Sequence, residues 1–534
     1  MDRRSTRAAI AWAATAWLAI GCTSGPAPTA AKAPERKPNF LLIVADDLGY
    51  SDLGAYGGEI ATPNLDRLAR SGATMTQFYA SPFCSPTRAM LMSGTDNHQA
   101  GFGDMAELML PEQRGKPGYE GFLNQRVFAL PEVLKSAGYR TVMAGKWHLG
   151  VAEEQSPAAR GFDRSYAMVQ GGASHFGDQA GIVAVDPTKP PKAIYRENGK
   201  AVDTPRQGFF SSEAFASRVI QYIDETKGDG SKPFFAYLAF TAPHWPLHAP
   251  DADIAKYENR YDAGYDALRG ERLERMKKLG LVPAATTAYR GHPHWPTWER
   301  LPAEQKRSEA RRMAVYAAMV DHMDRQIGRV LKHLESSGEL DNTVVVFISD
   351  NGADGNSVYD VARTREWIHK DMDNSTANIG RPGSFIEYGP GWAQVGSTPL
   401  NLYKSFMYEG GISVPAIFWS PKQGIAAQQR TQVGHVMDIA PTIYEMAGAR
   451  HPGASHQGRA ILPVKGKSLV AYLQGKQASA YGPNDVIGWE LGGRKALRKG
   501  DWKIVQANKP WGQDGWELYN IADDRTESRN LAAS

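Results

Sequence analysis

The sequence predicts an α/β fold: a large mixed, mostly parallel sheet flanked by helices, followed by a small C-terminal domain of antiparallel sheet plus helix. Three observations predict it. Five apolar runs, at 40–45, 139–144, 234–241, 343–349 and 414–419, are short, rich in β-branched and aromatic residues and almost unbroken, as strands buried on both faces should be. Helical periodicity fills the stretches between them. Beyond about residue 450 the apolar runs shorten and turn signals crowd together, which marks a change to antiparallel pairing.

Taken in chain order, the first element is a leader. Arg3, Arg4 and Arg7 precede an apolar run over 8–20 that is too short to span a bilayer, so residues 1–21 read as a signal peptide. It ends in Leu18-Ala19-Ile20-Gly21-Cys22, which resembles a lipoprotein signal and makes Cys22 the site of a lipid anchor in an exported, periplasmic or cell-envelope protein. Residues 22–37, rich in Pro, Ala and Lys, form a tether. The main domain is expected over 38–450. Within it Thr62 is placed as the N-cap of a helix with Pro63 at the first helical position. A long helix over 308–337 carries apolar Tyr316, Val320, Met323, Ile327, Val330 and Leu334 at steps of four and three before Gly338 stops it. Residues 250–305, charged and aromatic, read as a helical insertion at the surface. Residues 355–400 are irregular and rich in Gly, Asn and Trp, as loops bordering a functional site often are. In 451–534, four short strands are expected around 486–490, 496–498, 502–505 and 516–519.

Composition narrows the function. The chain has 534 residues, 42% of them hydrophobic and 22% charged, an ordinary globular balance that excludes a disordered or fibrous protein. The formal net charge of +4, with no basic stripe, gives no electrostatic footprint for nucleic acid. Only Cys22 and Cys84 occur. If Cys22 carries lipid, an exported protein is left with one unpaired thiol, which asks for a chemical use.

The chemistry gathers at the strand ends. The first strand runs into Asp46 and Asp47, the second into Lys146 and His148, the third into His244 and the fourth into Asp350 and Asn351. In open α/β sheets, ligands bind beyond the carboxyl ends of the strands, so these groups should share one crevice. Singly, each Asp would be a turn or cap residue; jointly, Asp46, Asp47, Asp350 and Asn351 supply the hard oxygen donors suited to calcium, or secondarily magnesium, rather than zinc. Two adjacent carboxylates resist ionisation together unless a cation lies beside them. Arg88, Lys146, Lys404, His148 and His244 add positive groups, and cations opposite a metal imply an anionic ligand with several oxygens. Cys84 lies in Phe83-Cys84-Ser85-Pro86-Thr87-Arg88, where Pro86 suits a first helical turn. A helix N-terminus favours negative charge and should lower the thiol's pKa. Trp245 and Trp392 read either as an apolar wall or as packing, and His175 either as a pocket residue or a structural one. His98 and His248 are taken as structural.

The run from Cys84 to Arg88, continuing into Leu91-Met92-Ser93-Gly94, resembles the signature of the type I sulfatases. Gly145-Lys146-Trp147-His148-Leu149-Gly150 resembles the second signature of that family, in the expected order. Residues 39–47, Ala242-Pro243-His244-Trp245-Pro246, Ser349-Asp350-Asn351-Gly352, Lys404 and Gly410-Gly411 are similar to further family blocks, and the similarity is nearest to bacterial arylsulfatases. The resemblance implies an alkaline phosphatase-like fold and a Cys84 converted to formylglycine (3-oxoalanine) by a maturation enzyme. It implies calcium held by Asp46, Asp47, Asp350, Asn351 and an oxygen of modified Cys84. Arg88 and His148 would stabilise the hydrated aldehyde, and Lys146, His244 and Lys404 would bind the sulfate of a small sulfated substrate. On the resemblance, one hydroxyl of the hydrate attacks sulfur and the other, once deprotonated, expels sulfate. The acid and base roles among His148, His244, Lys146 and Lys404 stay open. Two rival functions keep a different ester or no reaction: a phosphate mono- or diester hydrolase of the same superfamily, and a surface lipoprotein that binds sulfated glycans without turnover.

Overall fold

A computed structural model of the chain describes residues 36–182, 191–203, 207–226, 232–360 and 362–532. The expected leader, Cys22 and nearly all of the tether lie outside the described residues. Ten strands form the main sheet: β1 (Asn39–Ala45), β2 (Ala73–Met75), β3 (Arg140–Lys146), β4 (Arg164–Met168), β5 (Tyr195–Glu197), β6 (Lys200–Val202), β7 (Phe234–Ala239), β8 (Thr343–Ser349), β9 (Ala416–Trp419) and β10 (Gln428–Arg430). Their order across the sheet is β10-β2-β9-β8-β1-β7-β3-β4-β5-β6. The central block β8-β1-β7-β3-β4 is parallel, while β9 runs antiparallel to both β8 and β2.

The unbroken apolar runs follow from this architecture. Along β1, Leu41, Ile43 and Ala45 face one hydrophobic core while Phe40, Leu42 and Val44 face a second on the other side of the sheet. A strand covered on both faces has no position for a solvated residue, so the alternation of a one-sided strand disappears. Five of the ten strands are too short or too polar to read from sequence; β2, β5, β6 and β10 have only three residues each.

The helices flanking the sheet include α1 (Pro63–Ser71), α2 (Cys84–Ser93), α3 (Ser211–Thr226), α4 (Gly264–Lys278) and α5 (Ala303–Ser336). In α5 the expected apolar stripe is buried throughout, Tyr316 to Leu334 being at most 1% exposed. Each such side chain contributes about 1.5–3 kcal/mol by leaving water. One local expectation is corrected, and one holds with an exception. Thr62 occupies the N-cap position of α1 but does not cap it: its hydroxyl accepts from Gly54 N–H and donates to Asp66. The first-turn N–H groups of Asn64 and Leu65, which have no partner within the helix, are met instead by the Asp324 carboxylate from α5, at 3.1 and 2.8 Å. The charged 250–305 segment contributes α4 as anticipated, yet its Arg272 is fully buried, donating to Glu59 at 2.8 and 2.9 Å and also binding Asp52. Most of the segment lies at the surface as expected, and Arg272 is the exception because buried carboxylates meet its guanidinium.

A separate antiparallel sheet of four strands, β11 (Val486–Leu491), β12 (Arg494–Lys499), β13 (Trp502–Gln506) and β14 (Trp516–Asn520), closes the chain. Its helical companion is a single turn, Val470–Leu473. The sheet meets the main body through Trp489, whose Nε1 donates to the Ala80 carbonyl at 2.9 Å, and through buried Lys503, whose Nζ lies 3.0 Å from Glu409 and 2.8 Å from Glu527. Among the described residues, no helix is long and apolar enough to cross a membrane.

Candidate active site

Strand register brings the site together. Ala45 is level with Ser349 across β1 and β8, and Val44 is level with Ala239 across β1 and β7, so the residues that follow leave the sheet side by side. Asp47 turns at once with a φ of 68°, and Gly145 at the end of β3 has a φ of 127°. A Cβ on Gly145 would fall 1.7 Å from the Ala239 carbonyl oxygen, so only glycine lets β3 lie against β7 there.

Each carboxylate at this edge has a cation of its own. Lys146 Nζ donates to both oxygens of Asp46 at 2.8 and 2.7 Å, and Lys404 Nζ to both oxygens of Asp47 at 2.8 Å. Arg88, one turn after Cys84 on α2, donates from Nε to Asp350 Oδ2 at 2.8 Å and from a terminal nitrogen to the Lys146 carbonyl at 3.0 Å. The other Asp350 oxygen accepts the Asp47 N–H at 3.2 Å. Cys84, fully buried, has its Sγ 3.6 Å from Asp47 Oδ1, and His244 Nε2 lies 3.5 Å from Asp47 Oδ2. Asn351 donates to Asp47 at 2.6 Å through its amide nitrogen.

Nearly all the residues expected from sequence therefore meet. His148 approaches from the side: its Nε2 is 3.2 Å from Glu107, and Gly171 and Gly172 run against the rings of His148 and His244 respectively, where a Cβ would come within 2.8 Å of His148 Cε1 and 3.0 Å of His244 Cε1. Those glycines let the chain pass close enough to hold both imidazoles. His175 does not line the pocket; it is buried, with ring nitrogens on Ser211 Oγ and on the His244 carbonyl, and so supports the backbone of His244. Trp392 is packing, fully buried among Tyr261, Tyr265 and Trp298. Trp245 lies at the site beside His244, its Nε1 donating to Asp354 at 2.9 Å.

Two site residues escaped sequence reading. Asp354 accepts from Lys404 Nζ at 3.0 Å, so the ammonium that binds Asp47 binds Asp354 as well. It lies four residues after Asp350 in the same loop, the one signal that pointed to it. Glu107 sits in a loop between α2 and β3 with no motif around it.

Burial dominates the electrostatics. It pushes Asp46 up to about 6 and Asp47 well above the carboxylate range, against the pull of Lys146 and Lys404 respectively. Asp350 is also buried, yet Arg88, Lys146 and Lys404 together hold it below its ordinary value. Burial lowers His244, helped by Lys404 and Lys146, so its imidazole is neutral. The Cys84 thiol is pushed up by burial and by Asp350, opposite to the lowering expected from a helix N-terminus: a dry, acid-lined pocket outweighs one helix end.

Donor atoms of Asp46, Asp47, Cys84 and His244 all lie within 4.8 Å of one another, close enough to share a metal ion. Asn351 Oδ1 is buried with no hydrogen-bond partner, an oxygen donor left free at the same edge. The oxygen donors of Asp46, Asp47 and Asn351 are of the kind a hard cation takes, while the Cys84 sulfur and the His244 nitrogen are not.

Comparison with known proteins agrees with this geometry. The sulfatase family profile matches residues 38–449, and that of the N-sulphoglucosamine sulphohydrolase C-terminal region matches 401–534. An uncharacterized sulfatase of Schizosaccharomyces pombe is 46% identical over 94% of this chain and 91% of its own length. An arylsulfatase of Klebsiella aerogenes is 40% identical over 84% of this chain and 94% of its own. Among solved structures, Ps i-CgsB in complex with k-i-k-neocarrahexaose superposes with a TM-score of 0.64 at 26% identity, covering 93% of this chain and 89% of that one.

Proposed function

The chain belongs to the sulfatase family, and from that premise we propose that it hydrolyses sulfate esters, aryl esters among them, to an alcohol or phenol plus sulfate, using a formylglycine made from Cys84 and a bound calcium ion. The observation that carries this reading is the burial of Cys84 at the point where Asp46, Asp47, Lys146, Lys404 and His244 converge. Such a thiol is poorly placed to be a nucleophile as it stands, since burial holds it protonated. Its place in the pocket suits the oxidised side chain instead.

Asp46, Asp47, Asp350 and Asn351 would hold calcium, together with an oxygen of the modified residue 84. The hydrated aldehyde would supply the oxygen nucleophile and the metal a Lewis acid. The remaining chemistry belongs to the chain's own groups. Lys146 and Lys404 are fixed ammoniums able to turn a donor toward sulfate oxygens, and His244, neutral and beside them, is suited to donate or accept a hydrogen bond at the ester oxygen. Arg88 fixes Asp350 and the end of β3, so it orders the pocket while adding positive potential. Four carboxylates, Asp46, Asp47, Asp350 and Asp354, face three permanent cations, Arg88, Lys146 and Lys404. A divalent ion makes that balance positive, as a sulfate ester requires. Export by residues 1–21, lipidation of Cys22, a catalytic domain over 38–450 and a small α+β domain over 451–534 complete the proposal.

The test is turnover of 4-nitrophenyl sulfate and 4-nitrophenyl phosphate by protein co-expressed with a formylglycine-generating enzyme. Sulfate should be strongly preferred, and Cys84→Ala should abolish turnover while leaving the circular dichroism spectrum unchanged. A preference for phosphate, or an active alanine variant, would overturn the reading.

A further inference from the structure

We infer that Glu107 positions His148 as a proton acceptor: the carboxylate takes the Nε2–H and thereby leaves Nδ1 as the basic nitrogen facing the pocket around residue 84. This rests on the function proposed above, since that pocket is where the ester would react. Two observations meet here. His148 Nε2 is 3.2 and 3.4 Å from the two Glu107 oxygens, while its Nδ1 is buried with no hydrogen-bond partner. A carboxylate can only accept, so contact with it selects the neutral tautomer that carries hydrogen on Nε2 and a lone pair on Nδ1. An unpartnered ring nitrogen, buried, is costly unless a donor arrives there.

His148 holds a φ of 55°, unusual for a residue with a side chain, and Gly171 passes so near its ring that a Cβ there would fall 2.8 Å from Cε1. His244 is arranged differently: its Nδ1–H donates to the Trp245 carbonyl, and its Nε2 faces Asp47. The lone pair of His244 Nε2 thus lies against Asp47, whereas Nδ1 of His148 is left with no hydrogen-bond partner. The proton step balances simply. A hydroxyl in the pocket loses its hydrogen, Nδ1–H forms, and the resulting imidazolium is stabilised by Glu107, as a carboxylate behind a catalytic histidine does. The other charges acting on the ring are Lys146 from β3 and Arg88 from α2, both opposing protonation. Glu107 is a positioning residue, because it acts through the imidazole.

Two readouts test the pair. In protein retaining the Cys84 thiol, nitrogen-15 spectra of labelled histidine should show His148 as the Nε2–H tautomer, and Glu107→Ala should lose that fixed state. In matured enzyme, Glu107→Ala should lower kcat by about 10- to 100-fold with KM little changed. Glu107→Gln, similar in size and still able to accept from Nε2–H, should retain the tautomer and shift the acid limb of kcat/KM to lower pH, because the imidazolium loses its counter-charge. An Nδ1–H tautomer in the native protein, or an alanine variant with unaltered spectra and kcat, would overturn the inference. The spectra decide the matter even if native protein turned over no sulfate ester, a result that would count against the proposed function alone.

Discussion

Lys404 is the side chain on which most of the site's balance depends, because its one ammonium binds both Asp47 and Asp354. Replacing it with Met would leave two buried carboxylates with no ammonium between them, the costly half of a broken buried pair. Lys404→Met should therefore lower unfolding free energy by about 3–5 kcal/mol in urea titrations of chelator-treated protein; an unchanged midpoint would mean that the ammonium is not paired as described. Most of this neighbourhood was legible in the sequence because its members follow apolar strands directly: Asp46 after β1, Lys146 at the end of β3, Asp350 after β8. Glu107 was not, since its loop carries no periodicity and its partner is 41 residues away. The direction of the Cys84 shift was misread for a different reason. Sequence reveals a helix start, whereas the fully buried surroundings that raise the thiol's pKa arise only when distant segments pack around it.

At the scale of elements, strands and helices read well where one residue type dominates a run, and poorly where a distant group does the work. The five apolar runs and the stripe on α5 were recognisable because burial demands them. The cap of α1 was not: Thr62 had the right type and place, but Asp324, 260 residues beyond Asn64, supplies the acceptor. Asp324→Ala should cost about 1–2 kcal/mol of stability, in line with loss of a helix cap, and leave kcat/KM for an aryl sulfate unchanged. A change confined to activity would move Asp324 into the catalytic machinery. The helical surface segment was legible too, but the burial of Arg272 within it was not, since Asp52 and Glu59 surround it only in the folded chain. Glu59 is itself buried, yet Arg272 draws it down to about 2. A carboxylate lowered in this way stabilises the fold above its unfolded value and loses that contribution as pH falls toward 2. Glu59→Gln should thus flatten the acid side of the stability profile between about pH 4.5 and 2.

For the molecule as a whole, the antiparallel sheet is joined to the catalytic body by polar contacts that no local pattern announces. His98 bonds to Asp96 beside it and to Glu490 on β11 at 2.8 Å, and these two hydrogen bonds raise its pKa to about 9. A histidine raised in the folded state stabilises it fully below its unfolded value near 6.5 and ceases to do so as pH rises through 9. Thermal unfolding should show a loss of about 1 kcal/mol across that interval, a modest figure because the pair is partly solvated; His98→Gln should abolish the slope, and a slope retained in the variant would locate the titration elsewhere. The fold's larger achievement is to carry residues 46, 84, 148, 244, 350 and 404 to one edge of one sheet. The most direct measurement of what that edge is for is the mass of the peptide containing Cys84, taken from a preparation shown to hydrolyse an aryl sulfate. An aldehyde in place of the thiol is the expected mass, and an intact cysteine in a preparation that turns over substrate would contradict the account.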